Sequence, residues 1–178
     1  MNKPRNIELN NMKVKYNNLG GKPNDWGNVV LDVSFELTED MAKQLKADGW
    51  HINEYTPKYD DAEPIHLLKG IISFRDKKGN LKERNLRPDI YLCMEGEKKV
   101  RPLSESMIIS YFGKNRLEIL YADEVKINAA PRKDGDGCTA YINSMVLVCR
   151  NKSKYEVSGD TEDYEYENDD IPDEVPFN

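Results

Sequence analysis

Apolar and polar residues alternate with period two along most of this chain. In NVVLDVSFEL, Val29, Leu31, Val33, Phe35 and Leu37 fall on one face against Asp32, Ser34 and Glu36, the pattern of a strand with one side buried. NNMKVKYNN repeats the pattern, with Met12, Val14 and Tyr16 on one face and Lys13 and Lys15 on a basic outer one. Between these strands, NLGGKPNDWGN carries Gly20, Gly21, Pro23, Asp25 and Gly27 and reads as a loop with Trp26 at its centre. After the first run, Thr38 is placed to cap a helix over about 38–48, with Glu39 and Asp40 in the turn where the helix dipole favours anions. Gly49 is its stop signal, and Trp50 just beyond it reads as core.

Farther on, EYTPKYDDAEP is a polar loop, and HLLKGIISF and DIYLCM are strands on either side of the charged turn RDKKGNLKERNLR. LSESMIISYFGKN reads as a short helix with Ser104 as its cap. From Arg116 to Arg150 two long strands join through KDGDG, whose Asp-Gly steps suit a tight turn. The expected fold is mainly β: a five- to six-stranded Greek-key barrel of the OB type with an inserted helix at about 38–48. A sandwich with an accessory helix is the alternative.

Charge divides the chain in two. Residues 156–178 hold ten carboxylates and no Lys or Arg, so of the net −6 the tail carries −10 and residues 1–155 carry +4. That asymmetry points to nucleic-acid contact by the body and a solvated or interacting tail. Few aliphatic residues stand in 156–178, so the segment is expected to be disordered. Three cysteines without CxxC spacing, Cys93, Cys138 and Cys149, read as core residues in a reducing compartment. Met1 is followed by no apolar leader and no run reaches the length of a membrane span, so a cytoplasmic protein without membrane contact is expected.

Catalytic signals are thin. His51 and His66 are the only histidines, and no phosphate-loop, dinucleotide or HExxH motif occurs. Asp134 and Asp136 begin like a calcium loop, but Cys138 and Met145 stand where later ligands belong, which leaves a hairpin turn. No enzyme activity, metal or cofactor is expected. The binding signal is stronger: Arg75, Lys77, Lys78, Lys82, Arg84 and Arg87 face only Asp76 and Glu83, net +4 in 13 residues. Cations on a loop between strands suit a phosphate backbone, because each neutralised phosphate releases a counterion. Aromatics near them suit stacking on unpaired bases. Lys13, Lys15, Tyr16, Lys22 and Trp26, with Tyr91 beyond Arg87, complete the expected DNA-binding set.

Several stretches carry a resemblance. Gly21-Lys22-Pro23 with an aromatic before Gly27, the NVVLDV strand, Leu45-x-x-Asp48-Gly49-Trp50, Pro88-x-Ile90-Tyr91-Leu92 and Ala140-Tyr141-Ile142-x-x-Met145 look like the single-stranded-DNA-binding proteins of tailed bacteriophages. The match spans residues 8–149 and implies an OB-fold that coats single strands in phage replication, recombination or repair, in the host cytoplasm. The tail is similar to that of bacterial single-stranded-DNA-binding proteins, which close on Asp-Ile-Pro-Phe. Here Asp169, Asp170, Ile171 and Pro172 precede a second step, Pro176-Phe177, and Asn178 follows the ring. The resemblance implies a binding domain over 1–150 and a tail over 151–178 that recruits replication or recombination proteins. An RNA-binding or strand-annealing module, a metal-dependent nuclease and an acidic-tailed DNA mimic are the rival readings.

Overall fold

The computed structural model describes residues 6–59 and 61–152. The cleanest alternation in the sequence forms β3 (Leu31–Leu37), in which every second residue is buried and Val33 and Phe35 are fully enclosed. It pairs antiparallel with β2 (Lys13–Asn17) on one side and β5 (Ile65–Ile72) on the other. β5 in turn meets β9 (Cys138–Asn151) in parallel, through Gly70–Ala140 and Ile71–Tyr141. β9 folds back antiparallel on β8 (Leu117–Pro131), the long hairpin that KDGDG predicts. At the start of the chain β1 (Ile7–Leu9) lies antiparallel along β8. Met12 continues that line, exchanging backbone hydrogen bonds of 2.7 and 2.8 Å with Ala122. At Asn11, φ +52°, the chain kinks between β1 and β2, which pairs with β3.

The circuit β2–β3–β5–β9–β8, joined again at Met12, is a partly open Greek-key barrel of the OB type. Phe35, Leu68, Ile127, Ile142, Met145 and Leu147 fill it. Nine strands stand among the described residues, more than the five or six expected. The additions lie outside the circuit: β1, β4 (Asn53–Tyr55) beside the start of β5, β6 (Asp89–Met94) in parallel with β9, and β7 (Val100–Leu103) on β6. β7 accepts Pro102 because it is an edge strand, where no ladder hydrogen bond is lost. β5 and β6 pair with successive stretches of β9, Ala140–Tyr141 and Ser144–Cys149, and residues 73–88 loop out between them.

Two helices are set by their caps. Thr38 Oγ1 accepts from the Met41 amide at 3.2 Å and starts α1 (Glu39–Ala47), which buries Ala42 and Leu45 and stops before Gly49, φ +99°. Ser104 Oγ does the same for Met107 at 3.2 Å and starts α2 (Glu105–Gly113), which buries Ile108. Trp50 is 2% exposed, core as expected. Cys149 is buried, and its thiol is pushed up to about 12, first by burial and then by neighbouring Cys93.

Two local expectations give way. Val29 lies before β3 rather than in it, bridged to Pro23 and half exposed, because the loop closes on itself there. Tyr16 does not share the inner face of Met12 and Val14. A bulge between Val14 and Tyr16 places Val14 opposite Phe35 but Tyr16 opposite Ser34, so the tyrosine turns outward. The expected tail residues Asp169, Asp170, Ile171, Pro172, Pro176 and Phe177 lie outside the described residues.

Candidate nucleic-acid interface

Strand register decides which side chains share the outer face of the barrel. Tyr16, Ser34 and Lys69 form one row across β2, β3 and β5. Asp32, Ile71, Tyr141 and Asn128 form the next, across β3, β5, β9 and β8. Tyr16 and Tyr141 are 42% and 37% exposed, and Tyr55, opposite Ile65, adds a third exposed ring on the same face. Charges on this face are paired: Lys13 Nζ lies 3.2 Å from Glu36 and Lys69 Nζ 3.7 Å from Asp32. Burial pushes the Asp32 carboxyl above its ordinary range, and Lys69 only partly draws it back. With Lys15 also exposed on β2, the face combines exposed rings with charge that is largely paired, a surface suited to stacking on bases.

Two arms rise at one end of this face, from the adjoining ends of β3 and β5, where Leu31 pairs with Ile72. The first spans 18–30. At its base the Asn18 side chain accepts from Lys22 N and donates to the carbonyls of Lys22 and Val30, at 2.8–3.0 Å. At its tip Asn24 Oδ1 accepts from the amides of Trp26 and Asn28, both 3.0 Å, while Asn24 N donates to Asn28 O at 2.8 Å and Gly27 N to Asn24 O at 2.9 Å. Gly27 takes φ +81°, a left-handed conformation natural to glycine. The result is a braced turn that holds Trp26 out in solvent, 83% exposed.

The second arm, 73–82, is built on the same turn. Asp76 Oδ1 accepts from the amides of Lys78 and Asn80 at 2.9 Å, Asp76 N donates to Asn80 O at 2.8 Å, and Gly79 N to Asp76 O at 3.0 Å. Asn24-Asp25-Trp26-Gly27-Asn28 and Asp76-Lys77-Lys78-Gly79-Asn80 are thus the same scaffold with different cargo. One displays an indole and the other two ammonium groups.

The expected site residues sort accordingly. Lys15, Tyr16, Trp26, Lys77 and Lys78 are exposed on the strand face or the arms, and Lys13 is exposed beside Glu36. Lys22 and Lys82 are half-buried at the arm bases, where Lys82 N donates to Phe74 O at 2.9 Å. Arg75 grips the Glu105 carboxylate at 2.8–3.1 Å and its own loop at Gly79 O, 2.9 Å. Arg87 donates to Lys82 O at 2.7 Å, and Arg84 is exposed in a 3-10 turn, Arg84–Leu86. Tyr91 is half-buried on β6 between Pro102 and Val146, on a separate stretch of sheet. Lys69, Tyr141 and Tyr55 were not among the expected residues. Their signal was the alternation itself, in which Lys69 separates Leu68 from Gly70 and Tyr141 separates Ala140 from Ile142.

At the far end, the 132–137 turn is stitched to the end of α1: His51 N donates to Cys138 O at 3.0 Å and Cys138 N to Gly49 O at 2.8 Å. Arg132 holds Asp134 at 2.8 and 3.2 Å, and Asp134 also accepts from Asp136 N at 2.9 Å. Those bonds, the arginine's first, lower the Asp134 carboxyl to about 2. Its oxygens brace the turn, and Asp136 faces His51 at 3.3 Å. Among the described residues no group of three or more His, Cys, Asp or Glu could hold a metal ion, and no helix is long and apolar enough to cross a membrane.

A partly open Greek-key barrel with an aromatic strand face, bounded by loops at both ends, has the layout of the oligonucleotide-binding barrels. The chain belongs to the family described as "Putative phage ssDNA-binding domain", whose model matches residues 1–158. No curated protein and no solved structure matches it.

Proposed function

We propose that this chain binds and protects single-stranded DNA without base preference during phage DNA replication, recombination or repair, in the host cytoplasm and without catalysis. The observation that carries the reading is Trp26, a large ring held in solvent by a hydrogen-bonded turn beside an arm that displays Lys77 and Lys78. A ring so placed does nothing for the core, but it can stack on any base while neighbouring ammonium groups neutralise phosphates. Family membership supports the same reading. Residues 1–150 form the binding domain in this account. Residues 151–178 recruit replication or recombination proteins, with Ile171, Pro172, Pro176 and Phe177 as anchors and the acidic run, including Asp169 and Asp170, keeping them in water.

The test is a fluorescence titration of the full chain with labelled oligo-dT, duplex DNA and RNA, repeated with magnesium and followed by a gel for cleavage. Preferential oligo-dT binding without cleavage supports the proposal. Preference for RNA, cleavage, or no binding to any of them assigns the protein to the RNA-binding, nuclease or DNA-mimic reading instead.

A further inference from the structure

The two arms share more than a turn. Both are anchored on α2, at different places and by different means. A Cβ on Gly20 would meet Gly113 Cα at 3.0 Å and one on Gly21 would meet Ile109 Cγ1 at 3.2 Å, so the base of the first arm lies directly against the end of the helix. The second arm reaches the start of the same helix through Arg75, whose guanidinium holds Glu105 with Nε and one terminal nitrogen and Gly79 O with the other. Glu105 is mostly covered on its side of this pair, while Arg75 is half exposed. The guanidinium thereby ties the tip of its own arm and the helix together in one planar fork, a geometry that lysine cannot reproduce. Beside this pair a cleft runs along α2, lined by Arg75, Glu105, Ser106, Ile109, Ser110 and Lys114.

We propose that the arms work as one clamp mounted on α2, in which the Arg75–Glu105 pair fixes the distance between a base-stacking prong, Trp26, and a phosphate-binding prong, Lys77 and Lys78. Arg75 and Glu105 are then positioning residues, which touch no DNA themselves. This rests on the single-stranded-DNA reading and adds to it a rigid coupling between two contacts. Once one prong holds the strand, the other finds its target at high effective concentration and with the ordering cost already met. Each contact therefore carries part of the other's worth.

A double-mutant cycle reads that coupling directly. Oligo-dT affinity of the full chain is measured for Trp26→Ala, for Lys77→Ala with Lys78→Ala, and for all three together. The cycle is repeated in Glu105→Gln and in the exchanged pair Arg75→Glu with Glu105→Arg, with thermal melting of each protein as a control for folding. In the native background the combined loss should fall short of the product of the separate losses by about threefold or more, within the range of coupling seen between linked contacts. In Glu105→Gln the losses should multiply, and the exchanged pair should restore part of the shortfall. Multiplicative losses in the native background overturn the clamp and leave DNA binding standing, as does coupling that survives Glu105→Gln. If neither prong affects affinity, the interface itself is misplaced and the clamp falls with it.

Discussion

Trp26→Ala should separate binding from stability. The indole is 83% exposed, so its removal forfeits little buried area. The turn beneath it is closed by backbone bonds and by Asn24 Oδ1, none of which involves the ring. The expected stability change is within about 0.5 kcal/mol, as for other exposed positions, or roughly 2 °C in melting temperature for a chain of this size. Loss of a stacked base costs about 1–3 kcal/mol of binding, and at 1.4 kcal/mol per tenfold that is about 5- to 140-fold in Kd. The protein also supplies its own control. Trp50 is 2% exposed, so DNA can reach only one of the two indoles. Native protein should lose emission on titration with oligo-dT, whereas Trp26→Ala should show only the blue-shifted emission of Trp50, unchanged by DNA. A melting drop well beyond 2 °C means that the ring packs against something and the arm is not free. An unchanged Kd, or quenching that persists in Trp26→Ala, refutes the stacking assignment.

Two further expectations concern the frame. Gly70 faces inward at the parallel junction of β5 and β9, where an added Cβ would lie 2.5 Å from Ile142 Cδ1 and 3.4 Å from Phe35 Cε2. Gly70→Ala should cost about 1–2 kcal/mol, overpacking outweighing the entropy gained by losing glycine. Ile142→Val removes the clashing methyl, so denaturant melts of the pair should show less destabilisation than the sum of the singles, and strict additivity refutes the steric account. Asp134 is an acid whose folded pKa, about 2, lies below its ordinary 3.8, so its contribution is present above that ordinary value and is lost as pH falls toward 2. The melting penalty of Asp134→Asn should accordingly be constant near neutrality and shrink between pH 4 and pH 2, and a penalty still intact at pH 2 rules out the Arg132 bond as its source.

The parts of the fold legible in the sequence were those set by local chemistry. β3 announced itself because both its neighbours and the core impose one strict alternation, and Thr38 and Ser104 announced the helices because each cap needs only its own next three residues. Tyr16 misled because a bulge changes the face of a side chain without changing the composition around it. Arg75 looked like its basic neighbours because its partner, Glu105, stands 30 residues away and meets it only in the folded chain. The matched arm tips were visible in principle, since NDWGN and DKKGN place an Asx residue, a glycine and an asparagine at the same spacing. Their equivalence lies in side-chain bonds to backbone amides, which hydrophobic patterning does not register. Alternation marks Lys69 and Tyr141 as outward-facing, but only register, which pairs strands far apart in sequence, sets them on one face with Tyr16.

The end-to-end arrangement of β5 and β6 along β9 has a consequence for how such a protein can change. The two strands pair with separate stretches of β9, and Phe74 still packs in the core, so the exposed residues beyond Phe74 behave as an insertion in what is otherwise one line of sheet. Closing a longer loop costs little, about 0.6 kcal/mol for each doubling of its length. Lineages could therefore lengthen, shorten or recharge this segment, retuning grip on nucleic acid, while the barrel beneath is inherited unaltered. The same seam offers an engineer a splice point, where a reporter or a new recognition loop can be set beside the strand face without redesigning the core.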